Sequence, residues 1–408
     1  MLARARFVVP ALTLLLACGD DKMESASVTD SGGETTGDSD ATASDATDPS
    51  TTAGTTGAPG DAMGCDGATL LENPVDTAAR GPWPVGARTV TIEGRTVEVW
   101  YPAAPGSDAG VEPIVYDVRD ALPDSEQAKV TDALNPWQTC DCYRDLPVDA
   151  NNGPYPGIVF VHGTAGFRTQ SLEFMVHWAS RGFIVMSADH PGLWLKDLLG
   201  LLCMQGMVPQ DLTGDINAVV AAFQTQTGGL EFLSGVADGG RVAMSGHSAG
   251  GGAIEGFGGV AQVLIPMAAG GVSSGAALRS TLVLAAQSDQ VVGYSDTKAG
   301  FESSPAPRRF VGIADTGHLA FSSLCSLKNG MGQDFLQIAD AAGVCGAQFA
   351  SALFDCDPEY TADEISWSIS QYASSAALES VLHCSGADAS FAALQSTYPE
   401  VGEFIEAL

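Results

Sequence analysis

The feature that most constrains the fold is a series of short, uninterrupted apolar runs between residues 157 and 318. A strand buried on both faces has no polar side, so it appears in a sequence as a continuous apolar run of this length. Segments with helical spacing separate most of the runs. Such alternation predicts the α/β class, with a mostly parallel sheet flanked by helices on both faces. The runs are 157–163, 183–189, 241–248, 263–271, 280–289 and 308–318.

Three further segments complete the predicted domain, which we place at residues 64–408. Residues 88–102 alternate between apolar and polar and turn at Glu93-Gly94, which predicts a β-hairpin. Residues 103–155 are irregular and rich in Pro, Asp and Asn, and we interpret them as an insertion held by disulfides. Residues 321–408 have helical patterns and no strand-like run, so we expect a helical extension that packs on the sheet or caps it.

The amino-terminal residues have the pattern of an export signal. Residues 1–17 combine two arginines with an apolar run that is too short to span a bilayer. They end in Leu-Leu-Ala before Cys18, which resembles a bacterial lipobox, and we favour lipidation over an ordinary secretory signal. Residues 18–63 are acidic and rich in Ser, Thr and Gly, so they predict a disordered tether. We therefore expect a membrane-anchored lipoprotein in the periplasm or on the cell surface, with secretion as the alternative.

Eight cysteines follow Cys18, and an even number in an exported protein predicts up to four disulfides. The sequence leaves their pairing open. Cys140 and Cys142 are too close in the chain to bridge each other comfortably, so we expect each to pair elsewhere. The sequence contains no C-x-x-C or H-E-x-x-H motif, so we expect no metal site. The eight are Cys65, Cys140, Cys142, Cys203, Cys325, Cys345, Cys356 and Cys384.

The net charge of the predicted domain limits the classes of partner that it can bind. Residues 64–408 carry 15 basic and 39 acidic residues, a net charge of −24. A surface of this sign repels nucleic acids and anionic lipids, so we expect neither as a partner. We expect a monomer that acts on a neutral or cationic small molecule.

A G-x-S-x-G motif lies where one of the apolar runs meets a segment of small residues. The motif spans residues 246–250 and places Ser248 at its centre. A strand, a sharp turn and a helix are the context of a nucleophile elbow, and the free N–H groups of the helix favour developing negative charge. We predict that Ser248 is a nucleophile. The alternative is a glycine-rich turn without chemistry, which the flanking strand and helix disfavour.

A serine nucleophile needs a base and an acid that orients the base. His318 follows the last predicted strand and is the predicted base, whereas His190 is the rival and better suits a pocket. Asp289 ends the preceding strand and gives the chain order Ser, Asp, His, so it is the predicted acid. Asp315 and Asp189 rank behind it because of their positions in the chain.

Two backbone N–H groups are predicted to form an oxyanion hole, those of Ala249 and Thr164. Gly163 would let the chain approach the serine closely. Residues 191–207 form either an apolar lip over the site or the buried face of a helix. We also predict four substrate-pocket residues, His162, His247, His190 and Trp194.

Several segments resemble the α/β-hydrolases of the dienelactone hydrolase and platelet-activating-factor acetylhydrolase group. Cutinase-like polyester hydrolases are more distant. The resemblance covers residues 81–320 and is weaker at 103–155. It is carried by "GPWPVGARTVTIEGRTVEVWYPA", "VFVHGTAGFRTQS", "WASRGFIVMSADHPG" and "GHSAGGG".

This resemblance implies an α/β-hydrolase fold and a serine hydrolase without a cofactor, in which Ser248, Asp289 and His318 match the triad positions. Dienelactone hydrolases use a cysteine nucleophile, so a serine favours ordinary ester hydrolysis. We expect a short-acyl esterase, with a lipase or polyester hydrolase as the alternative; a peptidase is less favoured. The alternative outside enzymes is a binding lipoprotein on a dead hydrolase scaffold, which the presence of all three residues disfavours. The insertion and the extension are expected to form the pocket walls.

Overall fold

The computed structural model describes residues 60–350 and 356–408. The predicted signal peptide, Cys18 and the tether as far as residue 59 lie outside the described residues. The first described strand, at residues 61–63, falls within the last residues of the predicted tether. The strands are β1 (Asp61–Met63), β2 (Thr69–Leu71), β3 (Val85–Ile92), β4 (Arg95–Pro102), β5 (Val115–Tyr116), β6 (Gln138–Thr139), β7 (Tyr143–Arg144), β8 (Tyr155–Val161), β9 (Ile184–Ala188), β10 (Ala237–His247), β11 (Val263–Met267), β12 (Ser280–Ala286), β13 (Arg308–Ile313) and β14 (Val401–Ala407).

Helices follow most of the central strands, as the alternating pattern predicts. Short 3₁₀ turns supplement them, among them His318–Phe321 directly after β13. The α-helices are α1 (Leu172–Ser180), α2 (Leu195–Leu202), α3 (Leu212–Thr225), α4 (Ala249–Ala253), α5 (Tyr294–Ser303), α6 (Phe335–Ala341), α7 (Ala347–Ala350), α8 (Asp363–Leu382) and α9 (Leu394–Thr397).

Ten of these strands form one sheet in the order β14-β13-β12-β11-β10-β8-β9-β4-β3-β7. The six central strands from β13 to β9 are parallel to their neighbours. Strand β4 is antiparallel to β9, and β14 is antiparallel to β13. This is the predicted α/β-hydrolase fold.

Both faces of the sheet are covered, because successive residues of a strand point to opposite sides. In β8, Ile158 and Phe160 belong to one apolar core and Val159 belongs to the other. Helices α1 and α8 contribute side chains to the first core, and α3 contributes to the second. The continuous apolar runs of the sequence therefore reflect strands buried on both sides.

The predicted hairpin is present, whereas the carboxy-terminal extension differs from expectation. Strands β3 and β4 pair antiparallel and turn at Glu93-Gly94, as predicted. Residues 321–408 are mainly helical, but they end in β14, which pairs along the whole of β13. An edge strand is partly exposed, so its side chains do not form the apolar run that marks a central strand.

The described residues contain four disulfides, and one of them corrects an expectation. Cys140 and Cys142 bridge each other, with their Cα atoms 5.0 Å apart. The N–H of Cys140 donates to the carbonyl of Ile114, and the N–H of Ile114 donates to the carbonyl of Cys142. The backbone bends at Asp141, and this bend brings the two cysteines within bridging distance. The other disulfides are Cys65–Cys384, Cys203–Cys345 and Cys325–Cys356.

The insertion at 103–155 is therefore not held by disulfides to the rest of the domain, contrary to the prediction. It contains β5, β6 and β7; β7 pairs with β3 at the edge of the sheet, and polar side-chain contacts also join the insertion to the sheet. Arg144 lies 2.7 Å from the buried carboxylate of Glu98 in β4, and the Tyr116 hydroxyl donates to the same carboxylate at 2.9 Å. Buried charge of this kind requires such partners.

Candidate active site

Ser248 lies in a sharp turn between β10 and α4. Its backbone has φ 55° and ψ −121°, a conformation that costs a non-glycine residue free energy. Side chains at Gly246 and Gly250 would overlap backbone atoms of the elbow and of β8, so both positions need glycine. This is the strand–turn–helix geometry of a nucleophile elbow.

Asp289 and His318 come together after β12 and β13. The Nδ1–H of His318 donates to Asp289 Oδ2 at 2.8 Å, and both side chains are buried. Asp289 Oδ1 accepts hydrogen bonds from the N–H groups of Val291 and Val292 at 2.7 and 2.8 Å. The carboxylate is thus fixed by its own loop, and it leaves His318 Nε2 as the proton acceptor.

The two rival acids lie elsewhere. Asp189 forms an ion pair with Arg168 at 2.6 Å and also accepts from the N–H of Arg168. Asp315 lies in the turn after β13 with a φ of 51°. Neither carboxylate contacts His318.

The elbow reaches the His318 loop through His247, the residue before Ser248. His247 Nε2 donates to the carbonyl of His318 at 2.9 Å, and the two rings lie 4.7 Å apart. Ser248 Oγ makes no hydrogen bond within the described part of the chain. In particular, it is not hydrogen-bonded to His318 Nε2. Such bonds are often long in a free enzyme and tighten when the substrate binds.

Residues 163 and 164 lie against the elbow. A Cβ at Gly163 would lie 3.1 Å from Ser248 Cβ. The Gly163 carbonyl accepts from His162 Nδ1 at 2.8 Å and from the Gly166 N–H at 3.0 Å. Because the C=O and N–H of a trans peptide point in opposite directions, these bonds turn the N–H of Thr164 the other way.

Both predicted oxyanion donors have free N–H groups. Among the described residues, the Thr164 N–H donates no hydrogen bond. The Ala249 N–H lies in the first turn of α4, where an α-helix has no internal acceptor.

The three predicted pocket histidines lie inside the fold, and their role in the substrate pocket stays a prediction. His162, His190 and His247 are all buried, and each ring makes at least one hydrogen bond to a protein group, whereas Nε2 of His190 has no partner among the described residues. Burial lowers the pKa of His162 and of His247 to about 3, so both rings are neutral at ordinary pH. His190, the rival base, has its Nδ1 3.2 Å from Asp215 Oδ2. Backbone groups bond to both ring nitrogens of His162 and to Nε2 of His247, whereas Nδ1 of His247 contacts the Gln170 side chain.

Trp194 and the segment 191–207 lie beside the 163–166 loop. Trp194 is partly exposed and precedes α2. The N–H of Ala165 donates to the Leu193 carbonyl, and the N–H of Leu195 donates to the Gly166 carbonyl. Leu195 and Leu199 are buried, which fits the face of a helix, whereas Leu202, Met204 and Met207 are exposed, and the apolar lip stays a prediction.

Gln170 is a site residue that sequence reasoning missed. It is buried, and its side chain bridges the Gly163 N–H and the His247 ring. No motif marks it, since it lies in an ordinary loop after β8.

The described residues contain neither a metal-ligating cluster nor a membrane-spanning helix. No group of three or more His, Cys, Asp or Glu side chains in residues 60–350 and 356–408 is arranged to hold a metal ion. Within the same residues, no helix is both long enough and apolar enough to cross a membrane.

Comparison with known proteins gave one family. A family model described as platelet-activating factor acetylhydrolase, isoform II, matches residues 118–192. This match supports the hydrolase family and an ester-directed activity at family level. The search of curated proteins found no match.

The match begins inside the insertion, where we expected the resemblance to be weaker. It includes β8, the loop with Gly163 and Gln170, α1 and β9. It ends before the elbow, so Ser248, Asp289 and His318 lie outside it.

Proposed function

We propose that the protein is a serine carboxylic-ester hydrolase with a preference for short acyl groups. The observation that carries the proposal is the buried Asp289–His318 pair, because the His318 carbonyl accepts a hydrogen bond from His247, the residue before the strained Ser248. The family match at residues 118–192 supports the same class of reaction.

In this proposal Ser248 Oγ attacks the ester carbonyl while His318 Nε2 takes its proton. Asp289 keeps the proton on Nδ1 of His318 and stabilises the imidazolium. The N–H groups of Ala249 and Thr164 donate to the oxyanion, and each contributes about 3 kcal/mol to stabilising the transition state. His318 then protonates the leaving alcohol, and a water activated by the same histidine hydrolyses the acyl-enzyme.

A second substrate class has one observation in its favour. Leu202, Met204 and Met207 expose apolar side chains at and after the end of α2, whose first turn is bonded to the 163–166 loop. An exposed apolar patch of this kind suits a lipid or polyester chain. We therefore keep a lipase or polyester hydrolase as the alternative.

The test is hydrolysis of p-nitrophenyl esters from acetyl to palmitoyl by the oxidised wild-type protein and by Ser248→Ala. We expect a maximum at two to four carbons and a loss of at least ~10³-fold in the variant. A fluorophosphonate probe should label Ser248 in the wild type. Ser273→Ala, which changes an exposed serine, is the control and should keep both activities.

Other outcomes have distinct meanings. A maximum at long acyl chains favours the lipase or polyester hydrolase. A folded wild type that neither hydrolyses any ester nor reacts with the probe favours the binding lipoprotein and rejects the enzyme. Full activity of Ser248→Ala rejects the assigned nucleophile.

We also propose that the enzyme works outside the cytoplasm, where a lipid attached to Cys18 anchors it to the membrane. Four disulfides indicate an oxidising compartment. Metabolic labelling with a radioactive fatty acid should mark the wild type and not Cys18→Ser. Equal labelling of the two proteins would reject the anchor.

A further inference from the structure

Gln170 contacts two elements of the proposed site at once. The side chain is 1% exposed and lies in the loop between β8 and α1. Its Oε1 accepts from the Gly163 N–H at 3.2 Å, and its Nε2 lies 2.9 Å from His247 Nδ1. A side chain at Gly166 would overlap Oε1, so this glycine leaves room for the amide.

The Gly163 N–H fixes the direction of each hydrogen bond in the series that runs from Gly163 through Gln170 and His247 to His318. A backbone N–H can only donate, so the Gln170 oxygen must face Gly163 and its NH₂ must face His247. His247 Nδ1 must then accept, which leaves the ring proton on Nε2. That proton is donated to the His318 carbonyl at 2.9 Å.

Neutrality of His247 is needed for this arrangement. An imidazolium would have no acceptor at Nδ1 for the amide of Gln170. Burial, with the nearby charges that His318 and His162 can carry, lowers the pKa of His247. A neutral ring also adds no positive charge beside His318 when that residue takes a proton.

Backbone contacts place Gln170 against the loop of the base as well. The Gln170 carbonyl accepts from the Ser323 N–H at 2.8 Å, and the Ser171 hydroxyl donates to the Phe321 carbonyl at 2.9 Å. The loop before α1 therefore bonds both to His247, which precedes the proposed nucleophile, and to residues 321–323, which follow the proposed base.

We infer that Gln170 is a positioning residue, which acts through His247 to hold the oxyanion loop and the backbone of the general base in register across Ser248. This inference rests on the proposed function. The reacting atoms must be held in a near-attack geometry, and a displacement of about 1 Å can cost ~10²-fold in rate. We call the hydrogen bonds from Gly163 through Gln170 and His247 to His318 the relay. Loss of the relay should therefore lower kcat while substrate binding is little changed.

The first test is Gln170→Met, which keeps the volume and removes both hydrogen bonds. We expect kcat on p-nitrophenyl acetate and the rate of fluorophosphonate labelling to fall together by ~10- to 100-fold. KM should stay within about twofold, since no contact to the substrate is removed. The matched control is Gln138→Met, because Gln138 donates to the neighbouring Thr169 carbonyl but does not contact His247. We expect the control to lose less than threefold in kcat.

A second variant, Gln170→Glu, reports on the relay rather than on packing. At neutral pH the carboxylate has no proton to donate to His247 Nδ1, so the ring proton moves to Nδ1 and the bond to His318 is lost. One added proton, on the new carboxyl group or on His247, restores the Nε2–H donor. The kcat of Gln170→Glu relative to wild type should therefore rise as the pH falls from 8 to 5. The same ratio for Gln170→Met should stay flat.

The outcomes separate the two proposals. A wild type that is labelled at Ser248, together with a Gln170→Met that matches Gln138→Met, overturns the relay and leaves the esterase intact. If Gln170→Met does not fold, a flat pH ratio for Gln170→Glu overturns it. A folded wild type that shows neither hydrolysis nor labelling overturns the esterase and the role of Gln170 with it.

Discussion

Asp289 Oδ2 lies 2.8 Å from His318 Nδ1 because the two residues follow neighbouring parallel strands. The register pairs Ala286 with Ile313, so β12 and β13 end side by side. Asp289 follows three residues after one strand end, and His318 follows five residues after the other. The topology of the sheet thus brings the proposed acid and the proposed base together.

The first prediction concerns the acid of this pair. Asp289→Asn keeps an oxygen that can accept from Val291 and Val292, so the loop should be preserved. The amide would donate to His318 Nδ1 and favour the tautomer whose Nε2 cannot accept the serine proton. We expect kcat on p-nitrophenyl acetate to fall by ~10³- to 10⁴-fold. The free energy of unfolding should change by less than about 1 kcal/mol.

Asp315→Asn is the control for this variant, since the turn residue has a positive φ that asparagine tolerates. Its kcat should stay within about twofold of wild type. If Asp315→Asn loses as much activity as Asp289→Asn, the acid is misassigned.

The second prediction concerns the strain at Ser248. Its φ of 55° costs a residue with a side chain about 1–3 kcal/mol, which glycine avoids. Ser248→Gly should therefore raise the free energy of unfolding by about 1 kcal/mol relative to Ser248→Ala, measured in urea. Both variants should lack esterase activity. Equal stability of the two would mean that the elbow stores no strain.

Sequence reasoning was sufficient for the parts of the fold that depend on local patterns. The central strands are apolar on both faces, so they appear directly in the sequence, and the glycines of the elbow mark a close backbone approach. Sequence reasoning was insufficient where a contact depends on a local bend of the backbone or on residues that are far apart in the sequence. The Cys140–Cys142 bridge needs a local bend, and β14 is an exposed edge strand without an apolar run. Gln170 has its role only because the fold places Gly163 and His247 on either side of its amide.

The third prediction concerns the pH dependence of stability. His383 is buried, its ring stacks on Phe183 at 4.2 Å, and burial lowers its pKa to about 3. In the unfolded chain a histidine has a pKa near 6.5, so between these values only the unfolded state binds the proton. The contribution of His383 is therefore complete above pH 6.5 and is lost as the pH falls toward 3.

His383→Gln has no such proton and tests this effect. Between pH 7 and pH 5, the wild type should lose about 2 kcal/mol more unfolding free energy than the variant. The measurement is urea denaturation at both pH values, and the difference between the two losses cancels the cost of the changed packing. Parallel losses in the two proteins would contradict a neutral buried His383.

The last prediction compares two disulfides that close loops of very different length. Cys65 and Cys384 are 319 positions apart, whereas Cys140 and Cys142 are two apart. In the chain-entropy account a bridge stabilises the folded state by restricting the unfolded chain, and the effect grows with the logarithm of loop length. Replacing Cys65 and Cys384 with serine should cost about 6 kcal/mol, and replacing Cys140 and Cys142 should cost about 1 kcal/mol. Urea denaturation of the two double variants measures the difference. Equal losses would mean that the short bridge acts mainly on the folded insertion, by holding the bend at Asp141, rather than on the unfolded chain.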